Sequence, residues 1–233
     1  MDPEVFLDLY NNLETKLKGR GSYYNDRYES PIIRFSNSSE GKPYREELST
    51  IRDIRNLLVH SPLVNGKYPV EPSDEIGAVL EEILEKVEQP KKAMNYATWA
   101  DKIQKTRLDE EAYPVMRMME LRGFSHVPVV EGEKMIGVFS KSTVFSFHIR
   151  NNLTTIQKGM RIKEFGNLLD IENHSNEYFE FAPKDALYTD ILELFNTNYK
   201  KRQKRLAIVF LTETGNSQEK LLGLITPWDV LGK

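Results

Sequence analysis

The sequence predicts an α+β chain in which an all-helical domain (residues 1–90) precedes two α/β repeats (residues 91–233). Before Pro90, apolar residues recur at the three- and four-residue spacing of amphipathic helices. After Pro90, helical stretches alternate with short apolar runs that are typical of strands. A seven-residue pattern occurs twice in this second part, which indicates an internal repeat.

Three helices account for the first part of the chain. They are predicted over residues 3–18, 44–60 and 73–88, with Ser73 as the N-cap of the third. The intervening region 21–41 is rich in Ser, Asn and Tyr, and is predicted as a loop with one short element over residues 31–35.

The second part follows the order helix, strand, strand, helix, and then repeats it. The first repeat (about 91–158) is predicted to have its elements at residues 110–121, 126–130, 135–139 and 141–149. The second repeat (about 159–233) is predicted to have them at residues 186–198, 206–211, 221–225 and 227–231. The strands of the first repeat are joined by a turn at residues 131–134.

Two fragments define the repeated motif, residues 137–144 (GVFSKSTV) and 223–230 (GLITPWDV). In each fragment a glycine is followed by two apolar residues, a hydroxyl residue and two variable residues. The seventh position is Thr143 in the first fragment and Asp229 in the second. The doubled motif, in this order of elements, resembles the tandem CBS domain pair, or Bateman module. The resemblance covers about residues 91–233 and implies that an adenine nucleotide (AMP, ADP or ATP) is bound as a regulatory ligand.

The second copy of the motif has the chemistry of a nucleotide site. Thr226 stands where a strand gives way to a helix, and the free N–H groups of a helix start suit a phosphate. Asp229 follows one helical turn later, and a carboxylate there can accept hydrogen bonds from two ribose hydroxyls. The resemblance implies these ligand-binding roles. The alternative is that Thr226 is an ordinary N-cap and Asp229 an acid facing the helix dipole.

The first copy departs from this pattern. Ser140 supplies the hydroxyl, but Thr143 occupies the position of the carboxylate. Ser140 and Thr143 are therefore predicted to form a weaker ligand-binding site, with simple helix capping as the alternative. The resemblance also places Tyr178, Phe179 and Phe181 in the stretch that usually lines the base, although alternating residues of a strand more often belong to a core.

The second predicted helix ends in a motif of another kind. Arg55 and Asn56 are followed by three apolar residues and His60, a spacing that resembles the signature of HEPN domains. These are small helical domains, many of which are metal-independent ribonucleases that act as dimers. The resemblance covers about residues 1–90 and implies that Arg55, Asn56 and His60 are catalytic.

The chemistry of these residues suits RNA cleavage. His60, with an ordinary pKa of about 6.5, can transfer a proton near neutral pH. Arg55 can bind a phosphate oxygen with its planar guanidinium. A structural interpretation is also open, in which Arg55 pairs with Glu75 or Glu82 and His60 caps the helix.

Composition excludes several classes of protein and site. The chain has no cysteine, which excludes disulfides, thiolate zinc sites and cysteine nucleophiles, and no metal site is expected. No run of 18 apolar residues occurs, so no membrane association is expected, and a cytoplasmic location is predicted.

Residues 1–90 carry 11 Lys and Arg against 17 Asp and Glu, a net charge of −6, and residues 91–233 a net charge of +3. Any binding to RNA must therefore be local, and the basic run at residues 200–205 is one candidate, with a solvated loop as its alternative.

Together these features predict an adenine-nucleotide-binding CBS module that controls a HEPN-like ribonuclease domain. The expected partners are a second copy of the chain, an adenine nucleotide and RNA. The alternative is a non-catalytic nucleotide sensor whose helical domain serves dimerisation or the binding of a partner protein.

Overall fold

A computed structural model describes residues 1–19, 30–152, 155–197 and 204–231. The chain forms two compact units, Met1–Lys91 and Lys92–Lys233. The first unit is helical, and the second combines helices with two sheets. The predicted α+β class with N-terminal helices is therefore confirmed.

The helical unit owes its fold to apolar faces that meet in one core. Its helices are α1 (Pro3–Gly19), α2 (Pro31–Asn37), α3 (Arg45–His60) and α4 (Asp74–Glu88). The most deeply buried side chains come from all four helices and include Phe6, Leu13, Ile32, Ile51, Leu80 and Ile83. Ser73 accepts a hydrogen bond from the backbone N–H of Ile76 and so caps α4, as the sequence predicts.

The second unit contains the repeated order of elements. In its first half lie β1 (Thr98–Trp99), α5 (Ala112–Arg122), β2 (His126–Glu131), β3 (Lys134–Ser140) and α6 (Lys141–Asn151). In its second half lie β4 (Glu177–Pro183), α7 (Tyr188–Thr197), β5 (Arg205–Thr212), β6 (Gly223–Ile225) and α8 (Pro227–Leu231). Two short 3₁₀ segments, Ile162–Leu169 and Ile171–Asn173, connect α6 to β4.

Each half of the second unit contributes a short segment to the packing of the other half. The four-stranded sheet has the order β1-β6-β5-β4, so that β1, from the start of the unit, pairs antiparallel with the last strand. Strands β2 and β3 form a separate antiparallel hairpin. Conversely, Ile162 and Phe165 are buried in the core of α5, β2 and β3, although the sequence assigns them to the second repeat.

The motif glycines are positions of close approach. A Cβ atom on Gly137 would lie 2.5 Å from the carbonyl oxygen of Leu169, and one on Gly223 would lie 3.2 Å from that of Thr98. In both repeats the missing side chain thus lets another backbone approach closely, that of Leu169, which follows β3 along the chain, and that of Thr98 in β1, the strand paired with β6.

Several elements differ from the predicted ones. Helix α5 begins at Ala112 rather than residue 110, because Glu111 has extended backbone angles. Strand β6 is limited to Gly223–Ile225, and the short element predicted after residue 30 is helix α2. Strands β1 and β4 have no counterpart in the predicted elements. Of the loop predicted over residues 21–41, residues 21–29 lie outside the described residues, as do the first four residues of the basic run at 200–205.

Candidate functional site

The end of β6 brings together the two residues predicted for the second repeat. The Thr226 hydroxyl and backbone N–H both donate to Asp229 Oδ2, each at 2.8 Å. Both side chains are half-buried, and so a ligand can reach them. Among the described residues these bonds end on a single oxygen of Asp229, which leaves Oδ1 available to accept a hydrogen bond from outside the chain.

An aromatic pair belongs to the same region, and the sequence analysis missed it. The rings of Tyr96 and Tyr188 stack with their centroids 3.9 Å apart and an interplanar angle of 20°. Burial raises the pKa of Tyr188, and the nearby Tyr96 and Asp229 raise it further. Tyr188 therefore lies within electrostatic range of the Asp229 carboxylate.

The predicted site of the first repeat has a different arrangement. Ser140 and Thr143 are buried and cap α6 reciprocally: the Thr143 N–H donates to Ser140 Oγ at 3.1 Å, and the Ser140 N–H to Thr143 Oγ1 at 3.2 Å. The Ser140 hydroxyl also donates to Glu177 Oε1 at 3.0 Å, and the Ser142 hydroxyl donates to the same oxygen at 2.6 Å. A carboxylate from β4 therefore lies at this site.

Two histidines hold the Glu177 carboxylate from its other sides. His126 Nε2 lies 2.9 Å from Oε2, and His174 Nδ1 lies 3.4 Å from Oε1. Both imidazole rings pack edge-on against the ring of Phe179. Burial alone would raise the pKa of Glu177, but hydrogen bonds from His126 and His174 outweigh this effect and hold the pKa well below its usual value of 4.5.

The ionised Glu177 is expected to make the stability of the protein depend on pH in the acid range. Because its pKa is lower in the folded state, the carboxylate stabilises the fold above pH 4.5, and this contribution is lost as the pH falls towards the folded-state pKa. Chemical denaturation of the wild type and of Glu177→Gln between pH 7 and pH 3 measures it. The difference in free energy of unfolding should shrink below pH 4.5, and a constant difference would contradict this assignment.

The aromatic residues considered for base binding have structural surroundings. Tyr178 is buried in the core beside Ile191 and Val209, and Phe179 is buried in a separate core cluster. Phe181 is half-buried and packs against Phe210 at a centroid distance of 5.5 Å.

In the helical unit, the three residues of the other motif lie together at the end of α3. Arg55 donates from one guanidinium nitrogen to Asn56 Oδ1 at 3.3 Å and lies 3.4 Å from His60 Nε2. The guanidinium also lies over the ring of the buried Tyr10, 5.6 Å from its centroid. Tyr10 is a second residue that the sequence analysis missed.

The surroundings of this cluster are open on one side. Asn56 and His60 are exposed and line a cleft with Asp53, Leu57 and Ser61. Of the two acids considered as partners of Arg55, Glu82 bonds to Tyr44 and Lys86 instead. The only hydrogen bonds that the described residues give the Arg55 side chain are those within the motif, and its buried Nε has no partner there.

A comparison with protein families identifies the family that the first repeat matches. Residues 110–149 match the CBS domain. The prediction of a CBS domain is therefore confirmed for α5, β2, β3 and most of α6, which the match spans. A comparison with curated protein sequences finds no match to this chain.

Solved structures with low similarity to the chain are also CBS proteins or their complexes. A hemolysin-like CBS-domain protein from Oenococcus oeni PSU is 14% identical over 61% of this chain and 89% of its own, with a TM-score of 0.41. CBSX2, solved in complex with AMP, is 14% identical over 61% and 94%, with a TM-score of 0.43. CbpB, solved in complex with c-di-AMP, is 20% identical over 65% and 91%, with a TM-score of 0.44.

Two further kinds of feature are absent from the described residues. Within the described ranges, no helix has the length and hydropathy needed to cross a bilayer. Within the same ranges, no group of three or more His, Asp or Glu side chains has a geometry that could hold a metal ion.

Proposed function

We propose that the second unit is an adenine nucleotide sensor whose binding site is formed by Thr226 and Asp229. The observation that carries this proposal is the half-buried hydroxyl–carboxylate pair with one free carboxylate oxygen at the end of β6. A ribose offers two neighbouring hydroxyls, which match the acceptors of Asp229. The CBS domain match in the first repeat and the resemblance of the second repeat support an adenine nucleotide as the ligand.

The Tyr96–Tyr188 pair supports the same proposal. A nucleotide base needs a flat apolar surface near the carboxylate that holds its ribose, and stacked aromatic rings provide one. The nearby Asp229 carboxylate helps to raise the pKa of Tyr188, and this proximity supports a base-binding surface close to the proposed ribose site. The proposal is tested by calorimetric titration of the protein with AMP, ADP and ATP, which should give saturable binding of at least one of them.

We propose that the chain is a homodimer that associates through exposed apolar side chains of the second unit. On α6, Phe145 and Ile149 are 69% and 64% exposed, and their spacing of four residues places them on one face. Trp228, at the start of α8, is 84% exposed. Large apolar side chains exposed in this way are typical of protein–protein contact surfaces.

The expected result for assembly is a particle of about 54 kDa, twice the 27.1 kDa of one chain. Light scattering at micromolar concentration measures it. Replacing Phe145 and Ile149 together by serine should shift the mass towards the monomer, while replacing the exposed Val5 of the helical unit should not. A wild-type monomer at micromolar concentration would contradict the proposal.

A second function, ribonuclease activity of the helical unit, is favoured by the exposed His60 beside Arg55. In this proposal His60 accepts the proton of an RNA 2′-hydroxyl, whose oxygen attacks the adjacent phosphorus and displaces the 5′-oxygen, which takes a proton from water. Arg55 stabilises the negative charge that develops on the phosphate oxygens. The products are a 2′,3′-cyclic phosphate and a 5′-hydroxyl. The nucleotide bound by the second unit would regulate this reaction.

The alternative is a sensor without catalytic activity. In that case the Arg55–Asn56–His60 cluster and its contact with Tyr10 would stabilise the end of α3, and the helical unit would serve dimerisation or partner binding.

A further inference from the structure

The buried carboxylate of Glu177 distinguishes the two repeats. In the second repeat, hydroxyl and carboxylate belong to the same helical turn, and Asp229 is half-buried. In the first repeat, the hydroxyl of Ser140 meets a carboxylate 37 residues away along the chain, and the side chain of Glu177 is only 3% exposed. The hydroxyl–carboxylate pair Thr226–Asp229 of the second repeat is therefore open to a ligand. The corresponding pair Ser140–Glu177 of the first repeat is enclosed.

Both carboxylate oxygens of Glu177 have partners within the chain. Ser140 and Ser142 donate to Oε1, His174 lies 3.4 Å from the same oxygen, and His126 lies 2.9 Å from Oε2. The side chain is also only 3% exposed, so a ribose hydroxyl cannot reach it, in contrast to the half-buried Asp229.

Among the described residues, the charged and titratable side chains that face Glu177 are two histidines and an arginine, which can bind an anion. His126 approaches from β2, and His174 from the segment before β4. Arg205, at the start of β5, lies 4.0 Å from Oε2. Around them, Ser125 bonds to the second ring nitrogen of His126, and Lys204 bonds to the backbone carbonyl of His174. Without the carboxylate, two imidazoles, a guanidinium and two hydroxyls would surround an empty volume.

We propose that Glu177 is an internal occupant of the first repeat's anion site, and that it closes this site to nucleotide. The inference rests on the proposed function of the module, and it adds that each chain binds one nucleotide, at the second repeat. Removing the carboxylate opens a second site, whose preference is for small anions and for the phosphate of AMP.

The test compares the wild type with Glu177→Ala and with Glu177→Gln, which keeps the volume of the side chain and serves as the control. Formate supplies the missing carboxylate. It should raise the thermal unfolding midpoint of Glu177→Ala by about 3–5 °C when present at roughly ten times its Kd, relative to chloride at equal ionic strength. Neither the wild type nor Glu177→Gln should respond. A Glu177→Ala protein that ignores formate, or that fails to fold even when refolded in formate, overturns the proposal.

Equilibrium dialysis with labelled AMP gives the second readout. Glu177→Ala should bind one AMP more per chain than the wild type, and the Asp229→Ala, Glu177→Ala double variant should retain this additional molecule. An unchanged number, or two AMP molecules bound per wild-type chain, overturns the inference about Glu177. Wild type that binds none of AMP, ADP and ATP, with one AMP gained in Glu177→Ala, overturns the proposed function of the second repeat and leaves the inference about Glu177 intact.

Discussion

If the helical unit is the proposed ribonuclease, replacing His60 by alanine is expected to lower the rate of RNA cleavage by about 10²–10⁴-fold, because the 2′-hydroxyl then loses the group that accepts its proton. Arg55→Ala should lower the rate by about 10²–10³-fold, since the charge on the pentacoordinate phosphate is no longer stabilised. Purified protein incubated with a mixture of structured and unstructured RNA, with and without adenine nucleotides, measures both effects. Because the 2′-hydroxyl is the nucleophile, cleavage should persist in EDTA and leave a 2′,3′-cyclic phosphate.

The control for these variants is Glu46→Gln, an exposed change in the first turn of α3. It alters the same helix away from the cleft and should retain full activity. The sensor alternative predicts a different set of results. The wild type would cleave no RNA under any nucleotide condition, and Arg55→Ala would unfold more readily because its contacts with Tyr10, Asn56 and His60 are lost. These two results together would contradict the ribonuclease proposal.

Replacing Asp229 by alanine is expected to weaken the binding of an adenine nucleotide by about 10–150-fold. This range corresponds to about 1.5–3 kcal/mol, which is typical for the loss of a hydrogen bond to a charged group. Calorimetric titration of the wild type and the variant measures the ratio of Kd values. The nucleotide giving the tightest wild-type binding should be used for both.

The matched control is Asp109→Ala. Asp109 is also an exposed acid of the second unit, and its carboxylate pairs only with Arg107 among the described residues. Its removal should change the Kd by less than about twofold, since surface ion pairs contribute little. If Asp229→Ala binds as tightly as Asp109→Ala does, the ligand is held elsewhere.

Local sequence predicts those parts of the candidate sites that lie within one helical turn. Thr226 and Asp229 are three residues apart, and the pattern Arg55, Asn56 and His60 occupies the last turns of a single helix. Such spacing places side chains side by side whenever the helix forms, because the helical repeat fixes their directions. The structure brings both sets together, and their functions remain predictions.

Contacts between distant parts of the chain could not be predicted in this way. Glu177 meets His126 across 51 residues, and no helical or strand periodicity relates the two positions. Their contact depends on the packing of β4 against the start of α6 and the start of β2. The stack of Tyr96 on Tyr188 similarly depends on β1, a strand of only two residues that pairs with β6. A strand this short leaves no hydrophobic pattern in the sequence.

The contacts that His126 and His174 make with Glu177 could likewise not be predicted from the sequence. His174 precedes Glu177 by three residues and His126 precedes it by 51, and neither spacing predicts a contact because Glu177 lies in β4 rather than in a helix; both histidines nevertheless contact it in the folded chain. Their burial could have been inferred only from the sheet topology, in which β4 begins beside β5 and its first residue points towards the cap of α6.

Calorimetric titration of the wild-type protein with AMP, ADP and ATP is the most direct test of whether the second repeat binds an adenine nucleotide through Asp229. We expect saturable binding of one nucleotide per chain, weakened by about 10–150-fold in Asp229→Ala. The absence of binding by all three nucleotides up to millimolar concentration would contradict it.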